Sequence, residues 1–371
     1  VIRVLSVFGT RPEAIKMAPV VNTLAARPTE FESLVCLTGQ HRDMLDQVMD
    51  CFALRADCDL DLMRPDQSPA EVASRVLAEL PGVLRRARPN VVLVQGDTMT
   101  TFAASLAAFL HRVPVGHVEA GLRTGNFEQP FPEEMNRVLT TRVVSVHFPP
   151  TETAELALRR EGIPAPSIVR TGNTVIDALL LTVDAGYCFK ERALAGRDER
   201  RPLVLVTIHR RESFGPPLRS LCSAVRQLAE KLREHDFVLP VHRNPHVRET
   251  IHTHLHGYKN VLLTEPLEYR EFVNVMARSR LILTDSGGIQ EEAPSLNVPV
   301  LVLRQVTERP EGVAAGAARV VGTDVATIVN AVESLFADSA AYQRMAGVEN
   351  PYGDGRAAER IAQTLIERFG D

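Results

Sequence analysis

The sequence predicts an α/β protein made of two doubly wound, Rossmann-like domains facing across a cleft, and three observations point there. At 371 residues the chain exceeds what a single core comfortably supports. Short apolar runs alternate with helix-length amphipathic segments throughout, the order that builds parallel sheets covered by helices on both faces. After the polar, charge-dense stretch "KERALAGRDERRP" at 190–202, the same alternation begins again.

In chain order, the apolar runs place strands near 2–8, 33–38, 91–95, 113–117, 143–148 and 167–170, then near 203–208, 237–241, 261–264, 281–284, 299–303 and 319–321. The two units meet near "TGNTVIDALL" at 171–180, and no solenoid repeat or low-complexity tract interrupts them. In such sheets ligands collect beyond the carboxyl ends of the strands, beside the point where strand order reverses. Functional residues are therefore expected just after strands.

Composition narrows the class. The five cysteines, at 36, 51, 58, 188 and 222, are odd in number and form no CxxC pair, so neither a disulfide framework nor a zinc site is expected. A net charge of -4 with both signs interspersed gives no basic stripe, which disfavours a nucleic-acid partner. No apolar run approaches the ~20 residues of a membrane span, and "VIRVLSVFG" reads as a strand rather than a signal peptide, so a cytoplasmic protein without membrane association is expected.

The most informative stretch is "LILTDSGGIQEEAPSLNVPVLVL" at 281–303. Ser286, Gly287 and Gly288 follow a strand and open a helix, where uncovered backbone N–H groups at the positive end suit a phosphate. A tight turn with a serine N-cap fits the tripeptide equally well. Glu292, one turn further in, tips the reading toward a nucleotide, because a carboxylate there suits paired ribose hydroxyls. In "FGTRPEAIKMAP" at 8–19 the first strand passes into a helix with Pro12 in its first turn. Arg11 and Lys16 then stand about one turn apart, and the arginine fork suits a pyrophosphate; a solvated helix face is the bland alternative. With only four lysines in the chain, Lys16 stands out.

Three carboxylates follow strands or open helices: Asp97 in "VQGDTMTT", Glu119 in "VGHVEAGLRTG" and Glu133 in "PFPEEMNRV". Glu133 and Arg137 are four apart, so they share a helix face and are placed to pair. Each acid alone is compatible with a cap or a surface ion pair, but three at strand ends of one domain point to acid/base chemistry. His209 follows the first strand of the second domain, with Arg210 and Arg211 beside it, and is either a structural histidine or a donor to a leaving phosphate.

Several motifs carry less. The one GxGxxA match, at 353–358, has no strand before it, and no lysine follows a glycine as a P-loop requires. The DxD within "DCDLDL" at 57–62 and the five histidines within 241–256 lack the partners of a metal site, so no metal is expected.

Taken together, "FGTRPEAIKMAP", "TGQHRDMLDQV", "GDT", "VGHVEAGLRTG", "PFPEEMNR", "TGNTVIDALL", "HRRES", "TDSGGIQEEAPSL", "TERPE" and "NPYGDG" resemble the non-hydrolysing UDP-N-acetylglucosamine 2-epimerases, from the first strand to within about twenty residues of the end. The resemblance implies the GT-B type architecture. An N-terminal domain over 1–172 is completed by a C-terminal helix at 356–371, and a UDP-binding domain spans 173–355. It also implies a homodimer that interconverts UDP-GlcNAc and UDP-ManNAc without cofactor or metal. Carried over residue by residue, nucleotide contacts fall on Arg11, Ser286, Gly287, Gly288, Glu292 and Arg309, with Leu267 and Phe272 near the uracil. The catalytic group falls on Lys16, Asp97, Glu119, Glu133, Arg137 and His209. A second, regulatory UDP-GlcNAc pocket, present in some members, falls on Gln40, Arg210 and His242. The sequence departs from the family pattern at Gln95, Met99 and Gln305-Val306, which border the sugar and phosphate.

The chemistry fits the residue types. Carbon 2 of an aminosugar bears no acidic hydrogen until the nucleotide leaves and carbon 1 gains oxocarbenium character. A cradle for departing UDP and acids on two faces of the ring then suffice, and the expected intermediate is 2-acetamidoglucal. Rival expectations are a 2-epimerase of a modified UDP-2-acetamido sugar, a GT-B glycosyltransferase, which would use one carboxylate toward an acceptor hydroxyl, and a non-catalytic UDP-sugar sensor.

Overall fold

A computed structural model describes residues 1–39, 42–62, 64, 66–210 and 214–370. The chain forms two compact units, Val1–Leu181 with Tyr352–Asp371, and Thr182–Pro351.

The first unit holds strands β1 (Ile2–Phe8), β2 (Phe31–Leu37), β3 (Cys58–Asp59), β4 (Val91–Gln95), β5 (Val115–Val118) and β6 (Val146–Phe148). They pair in parallel in the order β3-β2-β1-β4-β5-β6. The second unit holds β7 (Leu203–Thr207), β8 (Asp236–Pro240), β9 (Val261–Thr264), β10 (Ser279–Thr284), β11 (Val300–Val302) and β12 (Ala318–Val320), ordered β12-β11-β10-β7-β8-β9 and likewise parallel. Counted from each unit's first strand, both sheets run 3-2-1-4-5-6, so each has its switch point between its first and fourth strands. Every residue of β4 and of β7 is buried, which is why these strands read as unbroken apolar runs.

Two expectations change. The run at 167–170 is not a strand: Ala165–Ser167 form a 3-10 turn, and only an isolated bridge joins Ile168 to His147. Pro164 and Pro166 supply no N–H to a ladder, which limits pairing there. The edge strand is instead β3, inside the DxD stretch. Asp57 Oδ2 accepts the Val35 N–H at 2.8 Å and Asp59 Oδ1 that of Asp61 at 2.9 Å, so these carboxylates hold a turn.

The first unit also extends to Leu181 rather than 172, and resumes at Tyr352 rather than 356. Helix Thr174–Thr182 stays with it because Asp177, 5 % exposed, accepts the N–H groups of Ala357 at 3.2 Å and Ala358 at 2.8 Å. Those are orphan donors of the last helix, Ala357–Phe369. Gly353, at φ 154, lies against the same junction; a side chain there would meet the Asn173 N at 3.2 Å. The motifs at 171–180 and 350–355 are thus fitted to each other. Among the described residues, no helix is long and apolar enough to cross a membrane.

Candidate active site

At the first unit's switch point, the loop after β1 leads into helix Arg11–Ala25 through the N-cap Thr10 and a capping box with Glu13. Arg11 opens that helix. Lys16, on the same helix, donates to Glu119 Oε2 at 2.5 Å, and the Gln95 amide donates to the same oxygen. Glu119 follows β5 with φ at +64° and is 8 % exposed. A left-handed backbone is costly for glutamate, and such strain persists where the surroundings over-determine it. Here the N–H groups of Glu119 and Ala120 both bond to the Phe148 carbonyl, at 3.1 and 3.2 Å.

Asp97 sits in the loop after β4. Arg137 donates to its Oδ2 through Nε at 2.9 Å and Nη2 at 2.6 Å, and Asn136 Nδ2 donates to its backbone carbonyl at 2.9 Å. Among the described residues no hydrogen bond engages Oδ1. Burial opposes the Arg137 charge, but Asp97 and Glu134 outweigh it and raise its pKa. The expected Glu133–Arg137 pair is not made: Arg137 turns to Asp97 and, at 3.1 Å, to Glu134. Among the described residues, none gives the buried Glu133 Oε2 a hydrogen-bond partner. Glu119 is tied to the strand that leads to Asp97 through Gln95, and Glu133 opens the helix Glu133–Val143 that carries the Asp97 partners Asn136 and Arg137.

Two histidines support this group from inside the sheet. His117 Nε2 bonds to the Gly96 carbonyl at 2.7 Å, and His147 pairs in register beside His117. Burial pushes His117 down to about 4 and His147 down to about 3, so both are neutral in the folded protein. Below the ordinary histidine value of about 6.5 the unfolded chain takes up protons that the folded one refuses, so stability falls as pH drops. The expected contribution is about 1.4 kcal/mol per pH unit per histidine, down to the folded values. Urea unfolding between pH 7 and 5 is expected to show a shallower acid loss in His147→Leu; an unchanged slope would contradict the assignment.

At the second unit's switch point, Asp285, fully buried after β10, accepts the N–H groups of His209, at 3.1 Å, and Arg210, at 3.0 Å, and lies 3.1 Å from His209 Nδ1. The loop after β7 is thereby fixed against the loop after β10. Ser286 occupies the N-cap position of helix Gly287–Glu292, but its side chain makes no capping bond, which removes the serine-cap reading. A side chain at Gly287 would lie 3.6 Å from Arg309 Cζ and 3.7 Å from Arg210 Nη2, so two guanidinium groups flank this glycine. Arg309 is held by Glu291, and Thr307 ties its N–H to Gln290. Glu292, 8 % exposed, accepts the Tyr269 hydroxyl at 3.5 Å. Phe272 lies on helix Tyr269–Ala277, which begins just after Leu267.

Of the expected regulatory residues, Arg210 and His242 lie among the described residues. Gln40 lies outside the described residues, His242 sits beside Phe214 with ring centroids 6.1 Å apart, and Arg210 stands by Gly287. A cavity of about 590 Å³ in the second unit opens at the amino ends of β7 and β10, the edge opposite the switch-point loops. Its arginines are already paired, Arg201 and Arg197 with Asp236, Arg200 with Asp198, Arg278 with Glu199 and Arg280 with the Phe336 and Tyr342 rings. Among the described residues no three His, Cys, Asp or Glu side chains form a metal-binding group.

Sequence reading missed Glu13, His117, Glu134, Asn136 and Asp285, and it singled out Gln95 without its partner Glu119. Of these, only Glu13 carried a local signal, the Thr-x-x-Glu spacing of a capping box.

The family model described as UDP-N-acetylglucosamine 2-epimerase matches residues 22–366. The chain is 52% identical over 369 residues to the UDP-N-acetylglucosamine 2-epimerase of Escherichia coli K12, covering 98% of each chain. It is 51% identical over 370 residues to that of Yersinia pestis, again covering 98% of each. Among solved structures, the Neisseria meningitidis UDP-GlcNAc 2-epimerase bound to UDP-GlcNAc superposes with a TM-score of 0.89 at 48% identity, over 99% of this chain and 100% of that one.

Proposed function

This chain belongs to the UDP-N-acetylglucosamine 2-epimerase family, and on that premise we propose that it interconverts UDP-GlcNAc and UDP-ManNAc by eliminating and re-adding UDP. One observation supports the chemistry most: Lys16 pairs with Glu119 and Arg137 with Asp97, Glu133 lies on the helix of Arg137, and the other unit sets two guanidinium groups around a glycine helix start. Proton carriers and a pyrophosphate cradle are the two things the reaction requires.

In this reading the C1–O bond breaks heterolytically, and its electron pair leaves on the β-phosphate, met by Arg11, Arg210, Arg309, the Ser286–Gly288 backbone and His209. Asp97 Oδ1 takes the carbon 2 proton, and the C–H electron pair becomes the C1=C2 bond of 2-acetamidoglucal. Glu119 and Glu133 serve the opposite face: one returns a proton to carbon 2 and both stabilise positive charge at carbon 1 as a UDP oxygen re-adds. The unpartnered, buried Glu133 Oε2 suits such a role, because an orphan carboxylate oxygen is costly unless a substrate or a proton satisfies it. Lys16 holds the Glu119 carboxylate in position. Glu292 takes the ribose hydroxyls, and Leu267 and Phe272 flank the uracil.

The enzyme works on this reading as a cytoplasmic homodimer. Phe109 and Leu110, 55 % and 66 % exposed at the end of helix Met99–Leu110, are the apolar surface that supports self-association. Arg210 belongs with the substrate cradle, and a regulatory UDP-GlcNAc would have to share it.

The test is incubation with UDP-GlcNAc in deuterated water without any acceptor. Deuterium is expected at carbon 2 of both epimers; sugar recovered unlabelled would overturn the proposal.

A further inference from the structure

Glu13 is 1 % exposed and takes no part in the chemistry above. Its Oε2 accepts the N–H groups of Gly9 at 3.1 Å and Thr10 at 2.7 Å, while Oε1 accepts the hydroxyls of Thr98 at 2.6 Å and Thr101 at 3.2 Å. These four donors come from two places. Gly9 and Thr10 form the loop that launches the helix bearing Arg11 and Lys16, whereas Thr98 adjoins Asp97 and caps helix Met99–Leu110.

A capping box uses only one carboxylate contact, to the N-cap N–H. The bonds to Thr98 and Thr101 exceed what starting a helix requires, and burial pushes the Glu13 carboxyl up, against the pull of its donors. A buried charge held by four donors from two loops fixes geometry rather than adding net stability. The packing at Gly9 is equally tight, since a side chain there would collide with Thr38 Oγ1.

We propose that Glu13 is a positioning residue for epimerisation: a clamp between the loops after β1 and β4 that sets Asp97 in register with Lys16 and its partner Glu119. It rests on the reading of Asp97 as a proton carrier. Without the clamp, Thr98 keeps its capping bond to Thr101 but loses its tie to the loop after β1, so the neighbouring Asp97 carboxylate is no longer held in register with Lys16. A displacement of about 1 Å costs on the order of a hundredfold in rate without touching substrate affinity.

The experiment is a double-mutant cycle on the full chain, with carbon 2 deuterium incorporation counted over hours so that slow variants are measurable. Glu13→Ala is expected to lower kcat by about 30- to 100-fold with KM within about twofold. In the Asp97→Asn background the same change is expected to cost less than about threefold, because the group it positions is gone. Equal losses in both backgrounds, or an undiminished kcat, would overturn the inference. Should Glu13→Ala fail to fold, Glu13→Gln carries the same cycle: its amide keeps an oxygen for Gly9 and Thr10 but turns an NH2 toward the threonine hydroxyls. A wild-type protein that exchanges no deuterium defeats the epimerase reading itself. Full activity in Asp97→Asn defeats the Asp97 assignment. An additive cycle on an impaired Asp97→Asn defeats the clamp alone.

Discussion

Replacing Asp97 by Asn is expected to lower kcat about a thousandfold while leaving UDP affinity within about twofold, a loss inside the range that positioned general acids and bases supply. The amide preserves the shape of the side chain and can still accept from Arg137, so the loop after β4 keeps its anchors at Asn136 and His117. What disappears is basicity at Oδ1. A thousandfold corresponds to about 4 kcal/mol of transition-state stabilisation. Some stability is lost as well, since among the described residues Arg137 keeps Glu134 as its one anionic partner. Urea unfolding measured alongside turnover separates the two effects. Turnover at the wild-type rate would remove Asp97 from the mechanism.

The second large effect belongs to the other half of the chemistry. Gly287→Val is expected to weaken UDP binding about a hundredfold, or about 2.7 kcal/mol, with folding stability little changed. The backbone has room for a side chain, because a Cβ at 287 would have the Arg309 and Arg210 guanidinium groups as nearest neighbours at 3.6–3.8 Å, ordinary contact distances. Gly287 also lies at a helix start without the positive φ that only glycine adopts readily. The methyl groups would instead occupy the volume the pyrophosphate needs and cover the helix N–H groups. Loss of charge-assisted hydrogen bonds there accounts for an effect of this size. Calorimetric titration with UDP measures it, and an unchanged Kd would mean that the diphosphate binds elsewhere.

The strands were legible because a parallel sheet covered on both faces turns its strands into apolar runs, as in β4 and β10. β3 escaped notice for the complementary reason: it is a two-residue edge strand in a polar stretch, specified by its pairing with β2. The run at 167–170 had the composition of a strand, but the prolines beside it turn the backbone away from pairing. The site divides in the same way. Acids at strand ends could be found because topology dictates where strands deliver side chains. Their partners could not, because Gln95 to Glu119, His117 to Gly96 and Asp285 to His209 are contacts across 24, 21 and 76 residues. Arg137 shows the limit most clearly. Helical spacing states which neighbours are in reach, but the carboxylate it takes is set by what the helix packs against, here the loop of Asp97.

In the proposed reaction the bond between carbon 1 and the nucleotide breaks before carbon 2 inverts. Substrate carrying oxygen-18 in the bridging position of that bond tests it directly, because a freed β-phosphate rotates and exchanges its oxygens before re-adding. The label is expected to spread into the non-bridging β-phosphate positions of recovered UDP-GlcNAc. Carbon 2 epimerising while the label stays wholly in the bridge would contradict it.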